Sequence, residues 1–173
     1  MTYHKPQSLA HYSWAPRETL TVETLSRSIG RCWTTEPFCI DPGVSSQFWS
    51  STYIDLVYGE HALRSEETIA GFYLLSLTDA LRASLYGDDP AYDAFNYGGN
   101  KVRFVSPVLS NDTLVFSCTI LDVQEKSPGY LVTQDLRISI EGKDRPGLVA
   151  EWLYFLMPKH NSAVEAKLAG WKT

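Results

Sequence analysis

Residues 68–87 read TIAGFYLLSLTDALRASLYG. Thr68 is of the N-cap type and Gly87 suits the position just past a helix end, so the stretch predicts a helix over 68–86. Ile69, Phe72, Tyr73, Leu74, Leu75, Leu77, Leu81 and Leu85 cover most of its circumference. Ser76, Asp79 and Arg82 form a polar stripe at three-residue spacing. A helix apolar nearly all round is expected to be buried. Its two charges and modest length exclude a membrane span. Downstream the period changes to two, and strands are predicted over 102–108, 113–123, 130–141 and 148–157, with breaks at SND, KSPG and GKDRPG. One long helix followed by a meander of strands indicates an α+β fold with a curved antiparallel sheet wrapped around the helix.

Upstream the pattern is weaker. Residues 1–18 look like a polar arm with embedded aromatics, and TVETLSRSIG, residues 21–30, reads as a short helix capped by Thr21 and ended by Gly30. Residues 33–64 are irregular and rich in Pro, Gly, Ser and aromatics, the composition of a functional loop or lid.

The 173 residues suffice for one domain with a real core, and the whole chain is expected to be one. The apolar fraction of 44% and charged fraction of 20% are those of a soluble protein. A net charge of −5, with Lys and Arg scattered, argues against nucleic acid as a partner. Three cysteines, Cys32, Cys39 and Cys118, lack pair or metal-ligand spacing, so neither a disulfide framework nor a zinc site is expected. No cofactor is implied. The first residues lack the apolar run of a signal peptide, and no run is long enough to span a membrane, which makes the cytoplasm the default location.

Two segments carry a family resemblance. TIAGFYLLSL, residues 68–77, resembles the TIAHGF-type helix start of the MaoC-like hydratase/dehydratase family, and FNYGGNKVRFVSPV, residues 95–108, resembles its INYGLN-(R/K)-VRF-x-(A/S)-PV segment. The likeness covers residues 65–157 and is nearest to the branch of nodulation protein N and 3-hydroxyacyl-thioester dehydratases. It implies a hot-dog fold, a dimer that covers the open sheet edge, and a groove for an acyl thioester carried by CoA or a carrier protein. It also implies an Asp/His pair, which the aligned stretch TTEPFCIDP, residues 34–42, does not supply: Thr34 stands at the Asp position and Cys39 at the His position. A threonine hydroxyl is no general base near neutral pH, and a thiol does not replace an imidazole–carboxylate pair in activating water.

Replacements can be named. His61, in YIDLVYGEHALR, lies inside what looks like a lid insertion over 43–64, with Asp55 nearby. It reads either as a solvated loop histidine or as a relocated base paired with Asp55. Cys39, in an apolar run, reads either as an inert buried side chain or as a thiol of the site. For the substrate, Gly71 at the helix start offers unpaired N–H groups at the positive end of the helix dipole, a suitable seat for a thioester oxygen becoming an enolate. Asn96, Tyr97, Gly98 and Asn100 border the implied groove. The amides either meet a carbonyl or bond within a tight bend. Arg103 reads either as a contact to a carrier phosphate or as a surface charge. Phe48, Trp49, Tyr53, Tyr58 and Tyr73 would suit a bulky substrate from specialised metabolism.

Two functions follow. One is a lyase or isomerase acting on an acyl thioester or related enolisable carbonyl compound. The other is a non-catalytic subunit that shapes the acyl tunnel of a dyad-bearing partner, in a heterodimer rather than a homodimer. Nothing in these residues favours a thioesterase.

Overall fold

Long runs of alternating apolar residues build the sheet, and the helix takes its place from them. The computed structural model describes residues 7–8, 12–43 and 68–159. In chain order the elements are β1 (Gln7–Ser8), α1 (Val22–Arg27), β2 (Cys32–Thr34), β3 (Phe38–Cys39), α2 (Gly71–Leu85), β4 (Tyr92–Phe104), β5 (Leu114–Lys126), β6 (Gly129–Ile140) and β7 (Leu148–Pro158). The sheet order is β1-β3-β5-β6-β7-β4, with β2 also paired to β5. β5, β6 and β7 form the antiparallel meander expected from the sequence, and β4 pairs antiparallel with β7. β4 therefore forms one edge of the sheet.

One face of the sheet is the core. Phe116, Cys118 and Ile120 of β5, Val132, Leu136 and Ile138 of β6, and Ala150, Tyr154 and Leu156 of β7 are all buried. Against them α2 lays Leu74, Thr78, Leu81 and Leu85, spaced three and four residues apart on one stripe. The other side of α2 is more open than the sequence led us to expect. Phe72 is 72% exposed, Ser76 and Asp79 are exposed, and Tyr73, Leu75 and Leu77 are only partly buried. The described sheet covers one side of the helix, so its apolar residues exceed what that sheet can bury.

A second correction concerns Arg82, which the three-residue spacing placed on the polar stripe. It is buried, with its side chain 9% exposed. Its two terminal nitrogens donate to both oxygens of Asp88 at 2.8 and 3.0 Å, and its guanidinium lies 5.5 Å from the Tyr86 ring and 5.0 Å from that of Tyr154. Burial works against the charge, but the Asp88 carboxylate outweighs it and holds the guanidinium firmly protonated.

The helix ends also moved. Thr68 bridges to Leu109, and the Ile69 N–H donates to the Val108 carbonyl, so these residues are extended and Ala70 becomes the N-cap. At the far end Tyr86 is extended with φ −149°, and Gly87 bridges to Thr19 instead of capping the helix. α1 follows the sequence more closely: Thr21 accepts from the Thr24 N–H as its N-cap. Among the described residues no helix is long and apolar enough to cross a membrane.

Candidate active site

The start of α2 is the place in the described chain where an apolar recess meets unsatisfied backbone donors. Leu74 N–H makes the first helical bond, to the Ala70 carbonyl, which leaves the Gly71 and Phe72 N–H groups without an acceptor inside the helix. Ala70 has no side-chain acceptor to cap them, and no acidic residue stands in the first turn. A cleft of about 270 Å³ opens here, lined by Ile69, Gly71, Leu74, Phe104, Ser106 and Val108, among others.

Gly71 has a packing reason as well as a chemical one. A Cβ at this position would come within 2.8 Å of the Phe104 ring. Phe104, the last residue of β4, thus folds directly over the first turn of α2, and its ring meets that of Phe72 edge-on at 5.6 Å. Half-burial pushes the Tyr73 phenol up from its ordinary range.

The asparagine- and glycine-rich stretch makes its described contacts within the fold. It is not the lead-in to a strand, because β4 already begins at Tyr92. The register with β7 slips twice, between Asn96 and Gly98 and between Gly99 and Lys101, so two bulges lie inside the stretch. Asn96 ties three elements together: its Oδ1 accepts from Trp152 Nε1 on β7 at 3.2 Å, and its Nδ2 donates to Asp79 on α2 at 3.4 Å. Asn100 Nδ2 donates to Glu151 at 2.6 Å. That bond, with Lys101 beside it, holds the Glu151 carboxyl below its ordinary range. Gly99 admits a close approach, but of the Trp152 ring, 3.1 Å from where its Cβ would stand. Tyr97 is exposed and its hydroxyl accepts from Lys126 at 2.6 Å. Gly98 has open space where its Cβ would be.

The other candidates fall elsewhere. Thr34 is exposed on β2, paired with Ser117 of β5, and Cys39 is half-buried on β3. Neither lines the cleft at the α2 start. Arg103 is exposed, and its guanidinium donates to the Val102 carbonyl. His61, Asp55, Phe48, Trp49, Tyr53 and Tyr58 lie outside the described residues, as do all four histidines of the chain. The described residues include no group of three or more His, Cys, Asp or Glu side chains able to hold a metal ion.

Sequence reasoning missed Phe104, Ser106 and Val108 as lining residues. VRF and SPV were visible as motif letters, but no periodicity says that the end of a strand will close over a helix 33 residues earlier in the chain.

No family model matches the chain. Over 86 residues it is 34% identical to the 3-hydroxyacyl-thioester dehydratase Z of Mycobacterium tuberculosis, a match covering 49% of this chain and 57% of that protein. Over 91 residues it is 34% identical to Nodulation protein N of Rhizobium leguminosarum bv. viciae, covering 50% of this chain and 55% of that one. The matched stretch thus spans little more than half the length of these relatives. Among solved structures, the MaoC-like dehydratase from Rhodospirillum rubrum superposes with a TM-score of 0.57 at 12% identity, covering 77% of this chain and 94% of that one. Sequence likeness over the matched half, together with the shared hot-dog fold, supports placing the chain in the MaoC-like hot-dog dehydratase family.

Proposed function

We propose that the chain is a MaoC-type lyase that interconverts a 3-hydroxyacyl thioester and its enoyl thioester. The observation that carries this reading is the uncapped start of α2 opening on an apolar cleft. A thioester oxygen seated on the Gly71 and Phe72 N–H groups gains charge when the neighbouring carbon loses its proton, and fixed donors at the positive end of a helix stabilise that enolate. A base takes the Cα proton, and the electron pair moves onto the carbonyl oxygen. As the carbonyl re-forms, the Cβ hydroxyl leaves, takes a proton and departs as water.

The base is assigned to His61 with Asp55, because an imidazole has the right proton affinity and the described cleft lining contains no carboxylate or imidazole. The protein works as a homodimer paired through β4. A 13-residue edge strand whose residues 93–97 are all exposed offers a long row of backbone groups to a second copy.

The test is turnover of enoyl-CoA and 3-hydroxyacyl-CoA by the purified chain, followed through the ultraviolet absorbance of the conjugated thioester. His61→Ala is expected to lose at least about a hundredfold in kcat, the lower range for a general base. Cys39→Ala is expected to retain activity. Full turnover by a folded His61→Ala variant sinks the relocated base.

A second reading rests on Thr34 and Cys39 standing where the family carries its acid–base pair: a non-catalytic subunit of a heterodimer. Solubility only on co-expression with a dyad-bearing hot-dog chain, and no turnover alone, would favour it over the lyase.

A further inference from the structure

We infer that the layer closing the C-terminal end of α2 encloses one water molecule, held between the Tyr154 hydroxyl of β7 and the side-chain amide of Gln134 of β6. The inference is independent of the cleft at the other end of the helix. Gln134 is fully buried and Tyr154 is 3% exposed. Among the described residues, the Gln134 Oε1 and the Tyr154 hydroxyl have no hydrogen-bond partner. Burying a polar atom unpaired forfeits its hydration with nothing in return, so such atoms in a native fold point to something bound between them. The two groups reach a common space. Val132 pairs with Tyr154 and Gln134 with Trp152, so Gln134 and Tyr154 are diagonal neighbours on the inward face of the sheet, a spacing that long side chains span. Both also meet Tyr86, the residue that ends α2: the Gln134 amide bonds to its hydroxyl, and Tyr154 is near enough to push its phenol up.

Turning the amide over does not remove the need. One of its polar atoms bonds to Tyr86, and the other is left over whichever way it points. The occupant must therefore be able both to donate and to accept. The rest of the layer says that it is neutral. Arg82 and Asp88 satisfy each other's charge through two hydrogen bonds, so no surplus charge remains to hold an ion. The Thr78 and Ser84 hydroxyls are already committed, donating to the Leu75 and Leu81 carbonyls of their own helix. The Cys118 thiol is a poor substitute, because sulfur donates and accepts only weakly. What is left is one amide atom and one hydroxyl, among side chains that solvent does not touch. Water meets that demand, and one molecule in this position ties β6 and β7 to the end of α2.

The first test needs no variant. A crystal structure of the full chain that shows ordered solvent should place one water at about 2.7–3.2 Å from both the Tyr154 hydroxyl and the free amide atom of Gln134. No solvent density there, or density larger than a water, overturns the inference. So does a Tyr154 hydroxyl bonded directly to a protein group. The second test is in solution. Tyr154→Phe keeps the ring beside Arg82 and removes only the hydroxyl, so the unfolding equilibrium constant should rise about tenfold. If the hydroxyl is bare, its removal relieves a burial penalty, and a variant as stable as the parent or more so overturns the inference. A direct bond to Tyr86 would give the same sign, so oxygen-17 relaxation of water is measured as well. Tyr154→Phe should lose one long-lived water relative to the parent chain. Gln134→Met, apolar and of similar length, should lose the same one, and the double variant one rather than two. Loss of none, or of two in the double variant, rules out a shared water. Should Gln134→Met fail to fold, the crystal structure and Tyr154→Phe still decide the matter.

Discussion

The two ends of α2 are built on opposite plans. At its C-terminal end the helix delivers Arg82 into a sealed layer with Asp88, Tyr86 and Tyr154. Gln134 donates to the Tyr86 hydroxyl, whose oxygen also lies 3.9 Å from the Cys118 sulfur, and the Trp33 ring packs on Tyr86 with centroids 4.9 Å apart. Burial pushes the Cys118 thiol up to about 12 and raises both phenols. At its N-terminal end the same helix leaves Ala70 without a capping side chain and Phe72 largely in the open. The contrast teaches where the chain stores stability and where it gives stability up. At one end the charges of Arg82 and Asp88 are consumed by the fold, with the Tyr154 hydroxyl and Gln134 Oε1 left buried without a partner among the described residues, whereas at the other end backbone donors are left for something outside it.

The largest test of this contrast is at the sealed end. Asp88→Ala leaves a buried guanidinium with only the exposed Asp79 carboxylate at 3.9 Å, and unfolding should become easier by about 3–5 kcal/mol. Chemical denaturation measures it. A loss under about 1 kcal/mol would mean that solvent reaches Arg82 and the end is not sealed.

The open end predicts the reverse sign. Ala70→Ser supplies the missing cap oxygen and should raise stability by about 1 kcal/mol. The same oxygen competes for the donors assigned to the thioester, so kcat should fall while melting temperature rises. A gain in stability with undiminished turnover would take the helix start out of the chemistry.

Thiol labelling gives a smaller, qualitative contrast. Cys32 is exposed and should react in the native protein, whereas Cys118, buried with its proton firmly held, should label only on unfolding. Native labelling of Cys118 would show that the sealed layer opens readily.

The smallest effect concerns β4. The bond from Asn100 and the neighbouring Lys101 hold the Glu151 carboxyl low, so this stabilising contribution is present at neutral pH and lost as pH falls through the folded-state titration. Asn100→Ala should move the Glu151 midpoint upward in an NMR titration, with little change in stability because the pair is exposed.

What the sequence disclosed follows the same division. The meander was legible because Phe116 to Ile120 and Leu136 to Ile140 alternate between apolar and polar residues. The cap at Thr21 was legible because a cap is local. Arg82 was misplaced because spacing on a helix cannot register an aspartate in the turn that follows it. Asn96 and Asn100 were read as facing a ligand or their own backbone, yet their partners Asp79, Trp152 and Glu151 lie 17 to 56 residues away. Gly71 was found by motif, but its contact with Phe104 depends on where the end of β4 falls. Tertiary partners of this kind leave no periodic trace.

The two bulges of β4 also impose an arithmetic. β4 spends 13 residues to pass the 11 of β7. Each extra residue turns the side chains beyond it to the opposite face. Two extras cancel in face though not in register: Phe95 lies opposite Phe155 and Phe104 opposite Leu148, where an unbroken ladder would put Val102. The strand therefore behaves like a reading frame. A single deletion, at Tyr97 or Asn100 alone, would swing Phe104 off Gly71. Loss of both together would restore the frame, so change here is tolerated in pairs and penalised one residue at a time.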